Sequence, residues 1–399
     1  MLALVNTESM SVEQSIANGC SLAGMSQPTR QRIALFLPSL RGGGAERAML
    51  LFAKGLLARG YLVDIVVAQA TGALVHEVPT GARLIDFQCR KVSFSIPKLY
   101  SYLRSEKPEA VYSSIVNANI TAIISSLLCR TFGGFKGRTV VRESNVVTPE
   151  GKVSLPRRVA GFLAPRLYSF ADAIISVSHD VATELTACLP SLSSRLFVLP
   201  NPVISEEIFK LSAEPAAHEW LGNPQVDGNI PIIVGAGRLH PQKDFTTLIE
   251  AFALVVANHP ARLIILGEGE ERPKLEAQIN RLGLNSCVSL PGFVANPFPY
   301  LKRADTFVLS SRYEGMPNVL LQAMAFGTAV VATRCHSGAC EVVTSDEFGR
   351  LVSPGEPAEM ARAIESCLHL PKSAGASELV SNNFSVKRAT AEYLLAAGL

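Results

Sequence analysis

The stretch SSRYEGMPNVLLQAMAFGTA, residues 310–329, decides how the second half of the chain folds. The apolar run Thr306–Leu309 before it predicts a strand, and the uncharged segment Pro317–Phe326 predicts a helix that stops at Gly327. Glu314 is therefore expected at the start of a helix and at the carboxyl end of a strand, where open α/β sheets bind phosphorylated ligands. Taken alone, the stretch also fits a buried αβ unit whose acid is simply solvated.

Short apolar runs alternate with amphipathic segments in both directions from this stretch. Strands followed by helices of this length predict two doubly wound, Rossmann-like α/β domains with mainly parallel sheets and a cleft between them. In the second domain, the predicted strands are the run from Pro231, Leu263–Leu266, Val288–Leu290, Thr306–Leu309 and Val330–Thr333.

The alternation stops at Asn201-Pro202 and resumes after the polar stretch Ser205–Asn229, which we interpret as the hinge. Residues 1–29 lack the apolar core that a signal peptide requires and are expected to be disordered. The predicted divisions are an N-terminal extension (1–29), a first domain (30–204), a second domain (205–375) and a C-terminal helix that packs back on the first domain (376–399).

Composition and charge limit the classes of function. Of the 399 residues, 48% are hydrophobic and 18% are charged, which is typical of well-buried globular domains. Residues 1–204 carry 21 Lys and Arg against 13 Asp and Glu, whereas residues 205–399 carry 16 against 21. The basic half is expected to face a membrane surface or a phosphorylated substrate, with a chance drift of surface charge as the alternative. Nucleic-acid binding would need a denser basic cluster with aromatic residues.

The eight cysteines are scattered through apolar contexts and indicate reduced thiols in a cytoplasmic protein. Two uncharged windows, 110–129 and 316–333, are interrupted by polar or turn residues, so we interpret each as a strand plus a helix. The segment 152–170 mixes arginines with Phe and Leu. A core-packed helix with a solvated basic face is the preferred interpretation, and a helix resting on an anionic bilayer is the alternative. The alternative, a helix on the bilayer, would imply peripheral contact with the cytoplasmic face of the membrane.

Three glycine-bearing turns follow predicted strands. Gly42-Gly43-Gly44 lets the backbone approach a ligand closely, although its spacing fits neither the dinucleotide fingerprint nor the P-loop. After the second turn, Arg238 and Lys243 flank a helix start, and two cations there suit a diphosphate, with a solvated loop as the alternative. The third turn, Gly267-Glu268-Gly269, has no cation at its start and is expected to be structural.

Four motifs of the second half are specific enough to compare with a known family. They are GRLHPQKD (Gly237–Asp244), LIILGEGEER (Leu263–Arg272), LPGFVANP (Leu290–Pro297) and SSRYEGMPNVLLQAMAFG (Ser310–Gly327). Together they resemble the retaining glycosyltransferases of family 4, which have the GT-B architecture of two Rossmann-like domains around a nucleotide-sugar cleft. The resemblance extends from Arg32 to the C-terminus and is strongest in the second half. Within the family, SLRGGGAER and YEGMPNVLL resemble motifs of bacterial enzymes that build lipid-linked oligosaccharides, polysaccharides or lipopolysaccharide.

The resemblance implies a role for each matching residue. Arg238 and Lys243 would bind the donor diphosphate, and Glu314, the first acid of the family's E-x7-E motif, would contact the donor sugar. These three are the predicted catalytic residues. The other predicted donor-binding residues are Gly43 and Gly44 in the first-domain loop, Gly292 and Phe293 beside the base, Gly315, Met316, Pro317 and Asn318 at the helix start, and Gln322.

Two departures from the family pattern affect these expectations. Gln322 stands in place of the second acid, which accepts hydrogen bonds from both ribose hydroxyls. An amide accepts on one side only, so nucleotide affinity or preference is expected to differ. The first-domain histidine of many members is also absent, and Asn117 or Asn119 is the candidate to contact the sugar instead. Glu143 is a further acceptor-side candidate, because family members often carry RES at this point.

No Asp-x-Asp triplet occurs, which favours a metal-independent enzyme without a cofactor, whose leaving diphosphate is stabilised by Arg238, Lys243 and helix N-termini. The resemblance implies transfer with retained anomeric configuration from a nucleotide-diphosphate sugar to a membrane-associated glycolipid or polyprenyl-linked saccharide. A UDP-sugar is preferred as the donor, with a GDP-sugar as the alternative. Two other functions stay open: a nucleotide-sugar epimerase of the same architecture, and a nucleotide-sugar-binding protein without turnover, which Gln322 alone favours.

Overall fold

Two parallel β-sheets, one from each half of the chain, form the frame of the protein. The computed structural model describes residues 31–144, 166–188, 190–221, 230–335, 338–368 and 370–399. The first sheet has the strand order β3-β2-β1-β4-β5-β6-β7, and its strands are β1 (Arg32–Leu37), β2 (Leu62–Val67), β3 (Arg83–Asp86), β4 (Ala110–Ser114), β5 (Arg138–Glu143), β6 (Ala173–Ser176) and β7 (Leu196–Val198). The second has the order β10-β9-β8-β11-β12-β13, with strands β8 (Ile232–Ala236), β9 (Arg262–Leu266), β10 (Val288–Gly292), β11 (Thr306–Leu309), β12 (Ala329–Thr333) and β13 (Gly349–Val352). The predicted pair of Rossmann-like α/β units is confirmed.

Helices connect the strands and cover the sheets. In the first half they are α1 (Gly44–Ala58), α2 (Ile96–Glu106), α3 (Val116–Phe132) and α4 (His179–Cys188). In the second half they are α5 (Glu206–Leu211), α6 (Phe245–Asn258), α7 (Arg272–Arg281), α8 (Phe298–Arg303), α9 (Asn318–Ala325), α10 (Ala339–Val342), α11 (Pro357–Cys367), α12 (Ala374–Asn383) and α13 (Val386–Ala397). Within the described residues, none of these helices is long and apolar enough to cross a membrane.

Burial on both faces explains why the strands are continuous apolar runs. Ile33, Leu35 and Leu37 of β1 point into one hydrophobic cluster, and Ala34 and Phe36 point into another on the opposite face. The second sheet likewise has a hydrophobic cluster on each face. A parallel sheet with helices on both faces requires this pattern, because neither face meets water.

A carboxylate in β2 interrupts the apolar pattern of the first sheet. Asp64 in β2 is fully buried and receives hydrogen bonds from Arg32 (2.8 Å), Arg83 (2.6 Å) and Tyr102 (2.6 Å). Burial alone would raise the pKa of Asp64, but the hydrogen bonds from Arg83 and Tyr102 and the charge of Arg32 outweigh burial and hold this pKa below its usual value. Asp64 therefore stabilises the fold in its charged form.

We expect Asp64→Asn to lower the free energy of unfolding at pH 7 by about 1.5–3 kcal/mol, because hydrogen bonds to a charged group are lost. The folded-state pKa is depressed, so this contribution is present above the ordinary Asp value of 3.8 and is lost as the pH falls through the folded-state value. Urea unfolding followed by circular dichroism at pH 7 and pH 3 measures both effects. Asp86→Asn, at an exposed position at the end of β3, is the control. An equal response of the two variants at pH 7 would contradict the assignment.

The chain crosses between the two halves twice, and the crossings lie side by side. Ile204 donates a backbone hydrogen bond of 2.9 Å to Phe384, and Val386 donates one of 2.9 Å to Ile204. Helix α13 then lies against α1, and the backbone oxygen of its Tyr393 accepts a hydrogen bond of 2.9 Å from the Tyr112 hydroxyl of β4. The last helix of the chain thus contributes to the core of the first half.

Several features differ from the predicted elements. Strand β10 continues to Gly292, two residues beyond the predicted end. Strand β13 and helices α5, α10 and α12 were not predicted at all. The helix predicted in segment 152–170 falls largely outside the described residues, which are helical only at 166–168. The basic segment considered for membrane contact lies in the same region.

Candidate functional site

Adjacent strands bring the two charged motifs of the second half together. In the register of β8 and β11, Thr306 lies opposite Ile233, so the loops at their carboxyl ends are neighbours. There the Nζ atom of Lys243 contacts Oε1 of Glu314, which also accepts a hydrogen bond of 2.7 Å from the Ser311 hydroxyl. Only 19% of the Lys243 side chain and 10% of the Glu314 side chain are exposed. The predicted catalytic acid and one predicted diphosphate cation therefore form a single, mostly buried ion pair.

Close packing of two loops requires glycine beside this ion pair. A Cβ atom on Gly267 would lie 1.9 Å from the backbone oxygen of Gly237, and the φ of Gly267 is +141°. A Cβ atom on Gly237 would in turn lie 2.9 Å from Cε of Lys243. The turn after β9 thus supports the turn after β8, as the structural role predicted for it requires.

Helix α9 begins shortly after Glu314, the acidic member of the ion pair. Pro317 precedes the helix in extended backbone, the helix runs from Asn318 to Ala325, and Gly327 follows with a φ of +72°. The predicted helix is therefore present, with the start one residue later and the end one residue earlier. Its first turn contains no acidic residue, so the N-terminal N–H groups are not neutralised within the helix.

The other predicted donor-binding residues of the second half are distributed along the cleft. Met316 and Gln322 are buried, with 8% and 7% of their surface exposed. Gly292 ends β10 with a φ of +89°, and the adjacent Phe293 is 54% exposed. Because β10 and β11 are separated by β9 and β8, these last two residues lie at the far end of the same row of strand ends from Glu314.

Asn318 at the start of α9 joins the two halves. Its Nδ2 donates a hydrogen bond of 3.0 Å to the backbone oxygen of Gly44, and its Oδ1 accepts one of 2.8 Å from Asn201. Asn201 also accepts a hydrogen bond from Arg142, a fully buried residue at the end of β5. The predicted glycine loop of the first half therefore contacts the predicted sugar-binding helix directly.

Gly315 makes a second close contact across the cleft. A Cβ atom at this position would lie 1.9 Å from the backbone oxygen of Ser144 and 3.2 Å from Cγ2 of Val177, both in the first half. On its other side, Gly315 accepts a backbone hydrogen bond of 2.7 Å from Gly338. The segment that follows Glu314 is thus packed between the halves without room for a side chain.

The acceptor-side candidates occupy different environments. Asn117 is exposed near the start of α3. Asn119 is fully buried and hydrogen bonds the Tyr168 hydroxyl at 2.9 Å, and that hydroxyl donates to Glu143 at 2.7 Å. Asn119 and Glu143 thus belong to one network inside the first half, and Asn117 is the candidate among the three whose side chain solvent reaches.

Arg238 is exposed in the loop directly after β8. Its charge affects the carboxylate of Glu46, which was not among the predicted site residues. Glu46, in the first turn of α1, is only 8% exposed. Burial raises the pKa of Glu46; backbone hydrogen bonds and the charge of Arg238 oppose this rise. A Cβ atom on Gly43 would lie only 2.2 Å from Oε2 of Glu46, so the Glu46 carboxylate packs directly against this glycine. Only the motif position of Glu46, after three glycines at a helix start, could have indicated it.

We expect Glu46→Gln to raise thermal stability at pH 7, because the substitution removes a buried charge. The folded-state pKa of Glu46 is raised, so its favourable contribution is complete below the ordinary Glu value of 4.5 and is lost as the pH rises through the folded-state value. The stability difference between variant and wild type should therefore grow between pH 4 and pH 7 in thermal unfolding. Glu77→Gln, in an exposed ion pair with Arg47, is the control. A difference that stays constant with pH would contradict the burial argument.

The arrangement suits a ligand with two linked phosphates. Negative charge can be bound by the mostly buried Lys243, the exposed Arg238 and the N–H groups at the start of α9. Glu314 can accept hydrogen bonds from hydroxyl groups. The described part of the chain contains no group of three or more His, Cys, Asp or Glu that could hold a metal ion.

Comparison with known families matches both halves of the chain. The family described as "Glycosyltransferase Family 4" matches residues 42–207, and the one described as "Glycosyl transferases group 1" matches residues 230–369. The first match includes the Gly-rich loop and strands β2 to β7, and the second includes the ion pair and α9.

Two curated relatives illustrate the range of similarity. The N-acetylgalactosamine-N,N'-diacetylbacillosaminyl-diphospho-undecaprenol 4-alpha-N-acetylgalactosaminyltransferase of Campylobacter jejuni is 29% identical over 349 residues, which cover 85% of this chain and 90% of that protein. The lipopolysaccharide core biosynthesis glycosyltransferase LpsE of Rhizobium meliloti is 38% identical over 135 residues, 34% of this chain and 38% of that protein. The chain thus spans nearly all of the first relative and well under half of the second.

A solved structure shows the same fold at lower identity. The crystal structure of Anabaena Alr3699/HepE in complex with UDP superposes with a TM-score of 0.72 and is 22% identical, covering 92% of this chain and 100% of that chain. The predicted family and architecture are confirmed. The chain belongs to the glycosyltransferases of group 1 and family 4, and its two facing Rossmann-like halves are a GT-B fold.

Proposed function

We propose that the protein transfers a sugar from a nucleotide-diphosphate sugar to a membrane-associated glycolipid or polysaccharide-precursor acceptor, with retained anomeric configuration and without a metal ion. The contact between Lys243 and Glu314 carries this proposal. It places a cation suited to a phosphate and an acid suited to sugar hydroxyls at one point of the cleft, beside the N-terminus of α9.

In this mechanism the bond between the anomeric carbon and the β-phosphate oxygen breaks, and its electron pair leaves with the nucleotide diphosphate. The acceptor hydroxyl forms the new bond on the same face of the sugar and gives its proton to a phosphate oxygen of the leaving group. Lys243, Arg238 and the N–H groups of α9 would stabilise the negative charge that develops there. Fixed cations can meet this charge without reorganisation, which supports a metal-independent reaction.

A UDP-sugar is our preferred donor. The HepE structure with the same fold is a complex with UDP, and this supports the choice of base. Gln322 is buried in α9, eight residues after Glu314, where other members carry a second acid. The amide oxygen there can accept a hydrogen bond from one ribose hydroxyl, but the NH₂ group can only donate. We therefore expect weaker nucleotide binding than an acid, which accepts through both oxygens, would provide.

A lipid-linked saccharide is our preferred acceptor class. The Campylobacter jejuni relative, which aligns with 85% of this chain, is named for an undecaprenol diphosphate-linked acceptor, and the Rhizobium meliloti relative for lipopolysaccharide core biosynthesis. Both names support polysaccharide or lipopolysaccharide assembly. The exposed Asn117 and the partly exposed loop from Gly42 to Gly44 border the cleft on the first-domain side, where such an acceptor would approach.

The test is a donor panel of UDP-, GDP- and ADP-sugars, first by thermal shift and then in transfer assays with a polyprenyl diphosphate-linked saccharide. Transfer in the presence of EDTA, with the product's anomeric configuration read by NMR from the proton coupling constant, would support every part of the proposal. Conversion of a UDP-sugar into its epimer without acceptor would favour the epimerase alternative. Binding of a donor with neither transfer nor hydrolysis would favour a protein without turnover.

A further inference from the structure

We propose that a pocket beside the Glu314 segment binds the diphosphate of the acceptor, separately from the donor site; this inference rests on the proposed function. The pocket has a volume of about 640 Å³ and is lined by Asp180, Arg312, Arg334, Cys335, Cys340, Pro354 and Gly355. None of the three predicted catalytic residues lines it. Its volume lies in the range of small-ligand sites.

The pocket lies beside the donor site along the same row of strand ends. Arg312 follows β11, Arg334 follows β12 and Pro354 follows β13, whereas the predicted donor-binding residues of the second half follow β8, β10 and β11. The two sites therefore share the end of β11, and the pocket extends from there to β12 and β13. Asp180 in the first turn of α4 closes the pocket from the first half. A backbone hydrogen bond of 2.8 Å from His179 to the Glu341 carboxylate fixes this wall across the cleft. Both halves therefore contribute to the pocket, as they do to the cleft.

Two guanidinium groups of the pocket can bind an anion. Arg334 is exposed and, within the described part of the chain, donates through one terminal nitrogen to the neutral backbone oxygen of Leu351 at 3.1 Å. Arg312 is 62% exposed on its side chain and contacts Asp244 through Nε at 3.0 Å. Each guanidinium has further N–H groups that can reach a ligand, and planar guanidinium groups bind phosphate oxygens in pairs.

The pocket shares its wall with the reacting centre. Arg312 lies two residues before Glu314, and its backbone N–H donates a hydrogen bond of 2.8 Å to Gln242, next to Lys243. On the other side, Gly338 hydrogen bonds the backbone oxygen of Gly315 at 2.7 Å. A saccharide held near Glu314 could therefore extend its phosphates into the pocket.

Carboxylates around the pocket select among anionic ligands. Asp180 lines the pocket, Asp244 is paired with Arg312, and Glu341 accepts the hydrogen bond of the wall. These charges would repel a compact anion, but Asp180 can accept hydrogen bonds from hydroxyl groups of an attached sugar. A glycosyl diphosphate offers both kinds of group, since its phosphates suit the two arginines and its hydroxyls suit Asp180. An organic diphosphate joined to a saccharide is thus the ligand class that the pocket fits.

The experiment measures binding of geranyl diphosphate and of inorganic pyrophosphate by calorimetry to the full chain, with the donor site saturated by UDP. We expect Arg334→Gln to weaken geranyl diphosphate binding about tenfold or more, because a bidentate charged contact is lost. Asp180→Asn should tighten it, because a like charge is removed, and Arg334→Lys should be intermediate. Arg350→Gln, on β13 and paired with Asp346 outside the pocket, is the matched control and should bind as the wild type does. UDP affinity should be unchanged in all four variants.

Loss of geranyl diphosphate binding on saturation with UDP would overturn the proposal, because the ligand would then occupy the donor site. Arg334→Gln binding as tightly as the wild type, or binding of inorganic pyrophosphate alone, would also overturn it. A protein that binds UDP normally but fails these tests refutes the pocket and leaves the proposed transfer intact. Failure to bind any nucleotide would instead refute the proposed function itself.

Discussion

Replacing Lys243 by alanine is expected to lower kcat by about 10²–10³-fold, the cost of removing one preorganised stabiliser of developing negative charge. Lys243 is the cation in direct contact with Glu314, and its ammonium group is mostly buried, so water cannot replace it effectively. The loss should appear in kcat more than in KM, because the charge on the leaving diphosphate is greatest in the transition state. Steady-state kinetics with a UDP-sugar and a lipid-linked acceptor would measure it.

The matched control for this prediction is Lys274→Ala. Lys274 lies on α7 in an ion pair with Glu271 and has 61% of its side chain exposed, so its loss should not change turnover. Lys243→Arg should retain part of the activity, since the charge remains while its position changes. Because Glu314 loses its partner in the alanine variant, thermal unfolding is needed to distinguish a catalytic effect from loss of the fold. If Lys243→Ala retained near-normal turnover, the phosphate-binding role would be wrong.

Local patterns were sufficient to predict that both members of the charged pair follow strands, although not that they contact each other. Lys243 and Glu314 each follow a short apolar run, and two such runs in neighbouring positions of a parallel sheet bring their carboxyl ends together. Buried apolar runs of the same kind predict most of the other strands. The sequence therefore predicted most of the strands and helices, and which of their ends carry charge.

Elements with weak patterns were missed for identifiable reasons. Strand β13 has the sequence GRLV, with glycine and arginine in its first two positions, and α12 has the sequence AGASELVSNN, with only Ala376 and Val380 buried. Neither contains enough apolar residues to show a period. Strand β10 continues past an irregularity between Ser289 and Gly292 that includes a proline, a residue without an N–H group for the ladder.

Contacts between distant segments were beyond prediction from the sequence. Asn119 and Glu143 look like surface polar residues in the sequence, but Tyr168 lies between them in the fold and joins them in one buried network. Asn201 was interpreted only as part of the hinge, although it hydrogen bonds Asn318 across the cleft. The first contact depends on packing within the first half, and the second depends on how two separately folded sheets face each other. No periodicity within one segment records either.

The approach of the two halves at Gly315 leads to the second large effect. We expect Gly315→Ala to lower kcat/KM by about 100-fold, because a displacement of about 1 Å in a reacting arrangement can cost that much. A Cβ atom there would lie 1.9 Å from the Ser144 backbone oxygen, so the first half must move away before the methyl group fits. Gly315 does not have a positive φ, and alanine is compatible with its backbone, which leaves the contact between the halves as the cause. Steady-state kinetics would measure the loss.

Two further measurements test this cause. UDP binding by the alanine variant should stay within a few-fold of the wild type, since the predicted diphosphate cations and the residues predicted beside the base are untouched. Gly375→Ala, at an exposed position in α12 where the nearest atom is the flexible Glu347 carboxylate at 3.3 Å, should leave kcat/KM unchanged. Equal activity of Gly315→Ala and wild type would mean that catalysis does not need the halves this close. The distance between them would then have to be set by the hydrogen bonds of Asn318 rather than by the backbone contact at Gly315.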